Sequence, residues 1–353
     1  MSKYPKGQKK SYKINCTDVK NSKENLNCTI LFLLLNASPF YLSGNEIANR
    51  LKVSRVAIWS RIAKLRSEGF CIEATQNKGY RIATEPKLIN ESFLKAWLQK
   101  LKTECSIFVL EKLDSTNSEA ERMLANEIKA PFAIIANKQT SGRGRIGKEW
   151  HSPASGNIYL SLAFKPNIHA VRLRKFTLLQ GISICKYLRK ATNNNEIMLK
   201  WPNDIICNGK KLGGMLTEAK VDCENIRSLV FGLGLNVNTK KSSFPKSLQD
   251  VVTSIYHIQE KYTRVHQLTA NIVKIILKSY NECIKGVDDV EFVNRWNELD
   301  SQFGKIIHII SGKKEINGKA IGIDPDGGLI VKLKNGHKKI IHSGEIITTK
   351  NEL

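Results

Sequence analysis

At 353 residues, with 41% hydrophobic side chains, the chain is long enough for two or three domains and apolar enough to build a core in each, which excludes a disordered protein. Its 56 Lys and Arg outnumber 32 Asp and Glu to give a formal net charge of +24, about half of it in the first hundred residues, and this unevenness points to a DNA-facing end more than to a uniformly basic molecule. The eight cysteines (Cys16, Cys28, Cys71, Cys105, Cys185, Cys207, Cys223 and Cys283) show no Cys-x-x-Cys pair or zinc-finger spacing and read as reduced thiols; with no secretory signal and no membrane-length apolar run, the expected location is cytoplasmic.

Residues 1–27 are rich in Lys, Asn and Ser and read as a basic flexible tail. From residue 28 to 84 the pattern is that of a winged helix-turn-helix. The apolar run Ile30 to Leu35 predicts a buried first helix. Ser43 with Glu46 three residues on is a capping box opening a short helix to Leu51, and Ser54 is a second N-cap starting a helix that runs to Gly69. On that third helix Ile58, Ile62 and Leu65 share one face, leaving Arg55, Trp59, Arg61 and Lys64 to project elsewhere. A second helix bearing exposed cations after a tight turn is the arrangement of a recognition helix. Segments 71–74 and 80–82 flank Gln76-Asn77-Lys78-Gly79 and predict a hairpin wing, so Ser54, Arg55, Trp59, Arg61, Lys64 and Lys78 are the candidate DNA contacts. The plainer alternatives are a protein-interaction module and a merely solvated basic face.

Pro86 marks the exit, and a linking helix is expected within residues 85–102. Residues 103–298 carry strand-like segments (132–136, 158–162, 228–231) and two longer helical patterns, around 173–191 and 265–283, which support an α+β domain. Residues 303–350 shorten into strands at 306–310, 320–323, 329–333 and 340–341, separated by turns such as Asp324-Pro325-Asp326-Gly327-Gly328, and read as a small SH3-like β-barrel.

Within the 103–298 segment lie Gly142-Arg143-Gly144-Arg145-Ile146-Gly147-Lys148-Glu149-Trp150, then Lys200-Trp201-Pro202-Asn203-Asp204 with Lys211-Leu212-Gly213-Gly214, then Gly232-Leu233-Gly234-Leu235-Asn236-Val237-Asn238. A loop alternating glycine with arginine brings backbone amides and permanently charged guanidinium groups to an anion. In this order the three segments resemble those of the biotin protein ligases, and the resemblance covers the chain from about residue 25 onward. Because Ser54-Arg55-Val56-Ala57-Ile58 also resembles the start of that family's recognition helix, the resemblance extends to the bifunctional members that repress biotin genes.

The resemblance implies a multidomain α+β protein whose central mixed sheet is akin to the class II aminoacyl-tRNA synthetase core. It implies synthesis of biotinyl-5′-AMP from biotin and ATP with Mg²⁺, then transfer of biotin to a lysine of the biotin carboxyl carrier protein of acetyl-CoA carboxylase. Operator DNA would be bound by an adenylate-loaded homodimer, and no membrane is involved. Lys211, Arg143 and Arg145 are the implied catalytic cations. Ser115, Thr116, Asn117, Gln139, Gly142, Gly144, Trp150, Gly213, Gly232 and Gly234 join them around biotin; Lys200, Asn203, Asp204 and Asn236 serve the nucleotide, Asp204 with the metal. Thr116 and Glu119 also fit a capping box, and both readings hold together. Where relatives carry an arginine that reaches the nucleotide, this chain has Thr349 followed by Lys350, so no contact from the last domain to ATP is carried over. The rival readings are an effector-binding regulator without chemistry, a lipoate ligase, and a monofunctional biotin ligase whose winged helix no longer represses.

Overall fold

The computed structural model describes residues 22–154, 156–169, 172–312 and 314–347; the expectations placed on residues 1–21, Thr349 and Lys350 lie outside the described residues. Helix α1 (Ser22–Ala37) takes in residues 22–27, which composition alone assigns to the tail. Once Ile30, Leu31 and Leu34 bury, extending the helix backward adds one hydrogen bond per residue fixed, so polar residues join it. Next come α2 (Gly44–Leu51) and α3 (Arg55–Ser67). The Ser43 Oγ accepts the Asn45 N–H at 3.2 Å and the Ser54 Oγ accepts that of Ala57 at 3.1 Å, so both serines cap their helices, but the box expected at Ser43 does not close, because Glu46 pairs with Arg50 instead. The wing is β1 (Cys71–Thr75) paired antiparallel with β2 (Gly79–Thr84). A Cβ at Gly79, whose φ is +107°, would fall 2.1 Å from the Leu42 carbonyl oxygen, so glycine is required where Leu42 bridges to Tyr80 and ties the wing to α2.

Helix α4 (Glu91–Lys100) is more than a connector. It buries Phe93, Leu94, Ala96, Trp97 and Leu98 between α1 and the later helix α8, and Lys100 Nζ donates to the Leu35 carbonyl at 3.0 Å. The buried His266 ring on α8 lies 3.0 Å from Glu85 Oε1 and accepts the Asn90 N–H at 2.8 Å, so the exit from the wing is fastened to the central domain. With Nε2 acting as acceptor, Nδ1 is the protonated nitrogen.

The central elements follow as β3 (Ser106–Leu110), α5 (Thr116–Ala125), β4 (Phe132–Ala136), β5 (Ile158–Phe164), β6 (Ile168–His169), α6 (Arg172–Thr192), β7 (Ile197–Lys200), β8 (Asp204–Cys207), β9 (Lys210–Asp222), β10 (Asn225–Leu235), α7 (Ile255–Gln259), α8 (Val265–Lys285) and α9 (Asp289–Asn297). They build an eight-stranded mixed sheet in the order β3-β4-β5-β10-β9-β8-β7, with β6 paired to β10; β3 and β4 are parallel and the remaining pairs antiparallel. Strands β4 and β5 are buried throughout, which is why they read as continuous apolar runs.

The last unit is a five-stranded antiparallel sheet, β14-β13-β12-β11-β15, made of β11 (Ile306–Ser311), β12 (Lys314–Ile323), β13 (Leu329–Lys332), β14 (Lys338–Ile341) and β15 (Glu345–Ile347). Lys319 faces Lys332 and Lys332 faces Lys338, an exposed row of like charges across three strands. Such pairs destabilise a sheet. Replacing Lys332 with Thr is therefore expected to raise the thermal midpoint, by roughly 0.5 kcal/mol of stability, with the gain shrinking in high salt; calorimetry at two ionic strengths checks this. Among the described residues no helix is long and apolar enough to cross a membrane.

Candidate active site

The residues between β4 and β5 turn over the open end of the sheet. In the loop, Trp150 N–H donates to the Gly142 carbonyl at 2.8 Å and Gly144 N–H to the Lys148 carbonyl at 2.7 Å, so it forms a narrow hairpin. Beneath it is a cavity of about 170 Å³. Five cations line it (Arg143, Arg145, Lys148, Lys200 and Lys211) against three carboxylates (Glu149, Asp204 and Glu345), an excess of positive charge suited to an anionic ligand.

The cation end is built by β8 and β9. Lys211 Nζ lies 2.8 Å from Asp204 Oδ1 and 5.4 Å from the centre of the Trp150 ring. Arg145 Nη1 is 3.3 Å from Asn203 Oδ1 and 3.4 Å from the Gly344 carbonyl oxygen. Burial lowers the Arg145 pKa, offset in part by Asp204 and Glu345; burial likewise lowers that of Lys200, which Asp204 partly restores. Both groups are half-buried, where their field on an incoming anion is stronger than at the open surface.

The opposite end is neutral and polar. Gln139 Oε1 accepts the Thr116 N–H at 2.8 Å, while its Nε2 donates to Ser152 Oγ at 2.8 Å. Ser161 Oγ lies 2.7 Å from Thr116 Oγ1 and 2.5 Å from Asn117 Oδ1. Ser115 is the N-cap of α5, yet its side chain makes no capping bond, so the expected capping box does not form there. The segment faces the cavity instead.

The floor is the β9–β10 pair, where Gly214 faces Gly234 and Leu216 faces Gly232. A Cβ on Gly234 would meet Trp150 Cε2 at 2.4 Å and one on Gly232 would meet Asn117 Oδ1 at 2.2 Å, so the strand must be bare where these side chains rest on it. The Gly232→Ala variant is expected to lose about 1–3 kcal/mol through overpacking against an asparagine that cannot step aside. Thermal unfolding and ligand titration would register it; an unchanged pair of values would mean that Asn117 moves freely.

Ser115, Thr116, Asn117, Gln139, Arg143, Gly144, Arg145, Trp150, Lys200, Asn203, Asp204, Lys211, Gly232 and Gly234 all line this cavity. Three sequence candidates do not. Gly142 sits at the base of the hairpin. Gly213 points to the other side of the sheet, against Leu235 and Ile205, and its neighbour Gly214 takes the cavity side. Asn236 is buried and donates through Nδ2 to the Thr253 carbonyl at 3.0 Å, a brace for the chain entering α7. Conversely, the sequence did not point to Glu345, which lines the cavity, or to Ser161 and Glu218, which stand behind it and bond to the lining residues Thr116, Asn117 and Arg143. A serine inside the apolar run of β5 was the one available signal for Ser161. Glu345 and Ile346 bring the C-terminal sheet to the cavity rim, where Lys148 pairs with Glu345, and Trp201 Nε1 donates to the Gly327 carbonyl at 3.1 Å. Among the described residues no cluster of three or more His, Cys, Asp or Glu is placed to hold a metal.

On α3, Arg55, Trp59 and Lys64 are exposed and Arg61 is half-buried, while Ser54 and the wing residue Lys78 are exposed. The apolar side chains of Trp59 and Val56 on the same helix are 63% and 73% exposed.

Comparison with known proteins agrees with this anatomy. The biotin/lipoate A/B protein ligase family model matches residues 109–236, a helix-turn-helix domain model residues 28–81, and a biotin protein ligase C-terminal domain model residues 303–348. The bifunctional ligase/repressor BirA of Bacillus subtilis is 31% identical over 88% of this chain and 95% of its own length; that of Escherichia coli is 30% identical over 90% and 95%. A biotin protein ligase from Aquifex aeolicus, solved in complex with biotin and ATP, matches with a TM-score of 0.59 and 28% identity over 69% of this chain and 97% of its own. With a helix-turn-helix unit ahead of a complete ligase domain and its C-terminal partner, the chain belongs to the family of bifunctional biotin protein ligase/repressors.

Proposed function

We propose that this protein joins biotin to ATP as biotinyl-5′-AMP, passes the biotinyl group to a lysine of a biotin carboxyl carrier protein, and, as an adenylate-loaded homodimer in the cytoplasm, binds operator DNA. The single observation that carries the ligase reading is the two-ended cavity, with Lys211, Lys200 and Arg145 at one end and the Thr116, Asn117 and Gln139 network at the other. Biotin has a carboxylate on one end and a neutral ureido group, both donor and acceptor, on the other.

In the first step a carboxylate oxygen attacks the α-phosphorus, the bond to pyrophosphate breaks, and an acyl–phosphate anhydride forms. Negative charge gathers on the phosphoryl oxygens, where Lys211 and Arg145 oppose it. In the second the acceptor amine attacks the acyl carbon, AMP departs with the bonding pair, and the amine loses its proton as the amide forms. Mg²⁺ would neutralise phosphate charge, and a single protein carboxylate, Asp204, suits a cation that takes most of its oxygens from phosphates and water. Gly144 and Gly147 let the loop fold over the ligand and exclude water from the anhydride. The finer likeness of the central sheet to class II aminoacyl-tRNA synthetases, and of the C-terminal sheet to an SH3-like barrel, belongs to the same reading.

Repression follows if the adenylate orders a surface on which two copies meet, a shift toward the DNA-binding assembly. A two-fold dimer requires a two-fold operator. The test is pyrophosphate release with biotin or lipoate, alongside gel shifts on the protein's own biotin-gene promoter with biotin and ATP present or absent. Biotin-dependent release and ligand-dependent binding are expected. Release driven by lipoate instead would overturn the substrate, and release without any DNA binding would leave a monofunctional ligase.

A further inference from the structure

The two loop arginines do not point the same way. Arg145 turns toward Asn203 and Asp204 at the cation end of the cavity. Arg143 turns outward: its guanidinium pairs with Glu218 on β9, donates to Ser118 Oγ at 3.1 Å, and lies 3.9 Å from Glu121 on α5. The second oxygen of Glu218 accepts the Asn117 Nδ2–H at 2.7 Å. Asn117 in turn meets Ser161, Ser161 meets Thr116, and Thr116 meets Gln139, which stands just ahead of the loop that carries Arg143. These contacts form a closed circuit around the neutral end of the cavity.

We infer that the arginines divide the work: Arg145 serves the phosphate, whereas Arg143 is a clamp holding the loop to Glu218, a positioning residue that simultaneously aligns Asn117 for the ligand's ring end. This rests on the adenylate reading of the cavity. A carboxylate suits both duties because each of its oxygens has a separate task. It also places a fixed anion beside Arg143, which would oppose any approach of phosphate to that guanidinium.

The two duties can be separated by substitution in the full-length chain. Glu218→Gln keeps an acceptor for Asn117 but gives up the charge that holds Arg143. The reversed pair Arg143→Glu with Glu218→Arg restores the clamp but leaves Asn117 Nδ2 only its longer bond to the Leu216 carbonyl at 3.3 Å, because a guanidinium only donates. Three readouts are used: subtilisin cleavage between residues 143 and 149 without substrates, the Kd of biotin alone, and the KM for ATP. For Glu218→Gln, faster loop cleavage and an ATP KM raised about tenfold are expected, with biotin Kd nearly unchanged. Arg143→Glu alone should match it in cleavage and ATP. The reversed pair should recover loop protection and ATP KM to within about threefold while biotin Kd stays weakened by about tenfold. If Arg143 contacts phosphate instead, the reversed pair will be as impaired toward ATP as Arg143→Glu, and the inference falls; it falls equally if Glu218→Gln leaves loop cleavage unchanged. Cleavage needs no biotin or ATP, so a clamp seen by protease in a protein that forms no biotinyl adenylate would sink the functional reading and spare the clamp.

Discussion

Replacing Lys211 with alanine is expected to lower the rate of adenylate formation by two to three orders of magnitude, about 3–4 kcal/mol of transition-state stabilisation, while the fold stays intact. Lys211 holds its Nζ between Asp204 and the face of the Trp150 ring, beside the other cations that line the cavity. Charge develops on the phosphoryl oxygens only as the anhydride forms, so losing Nζ should act on kcat more than on the Kd of biotin. The backbone is anchored independently: Lys211 N–H donates to the Val251 carbonyl at 2.8 Å and its carbonyl accepts the Thr253 N–H at 2.9 Å, so truncating the side chain does not release the strand. The ion pair with Asp204 is partly exposed, and its loss should cost at most about 1 kcal/mol of stability. Pyrophosphate release and thermal unfolding, measured side by side, check both halves. If turnover falls by less than about threefold with the fold unchanged, the central cation is another group, and Lys200 or Arg145 becomes the residue to test.

The features legible in the sequence were those written locally. Ser54 and its neighbours specify the start of α3 because a cap, a turn and an apolar stripe all lie within a dozen residues. The glycine and arginine loop could be read because an anion site needs amides and guanidinium groups close together along the chain. Register and distant approach were harder. Gly213 and Gly214 are adjacent and chemically identical, yet a strand's alternation sends only Gly214 to the cavity. Glu218 has the look of a solvated strand residue until β9 is laid beside α5, and Glu345 reaches the site from a separate sheet. Asn236 shows the converse: a polar residue in a motif segment that lies buried as a brace to Thr253 and outside the cavity lining. Helix α1 differed for a thermodynamic reason, since helix propagation carries polar residues that composition assigns to a tail.

The second large effect concerns DNA. Replacing Arg55, Arg61 and Lys64 together with alanine is expected to weaken operator binding at least about 100-fold at physiological salt and to flatten its salt dependence, while biotin ligation stays within about twofold. The substitutions leave α3 itself in place, because its hold on the domain is the buried Ile58, Ile62 and Leu65 and the Ser54 cap, none of which changes. Nor do they remove strong ion pairs: Lys64 stands 3.9 Å from Glu68, and the tie from α3 to the wing is made by a different residue, Arg66, whose guanidinium donates to the Ile72 carbonyl at 2.6 Å. Each phosphate no longer neutralised should reduce the slope of log affinity against log salt by about 0.9, so a dimer that gives up three per subunit should see its slope fall by about five. Exposed Trp59 and Val56 supply the contrast. Because neither carries charge, trimming Trp59 to alanine should weaken specific binding and leave the salt slope alone. Gel shifts of the adenylate-loaded protein at several salt concentrations separate the cases. An unchanged slope in the triple variant would mean that the basic face of α3 is only solvated and that the winged helix meets a protein rather than phosphate.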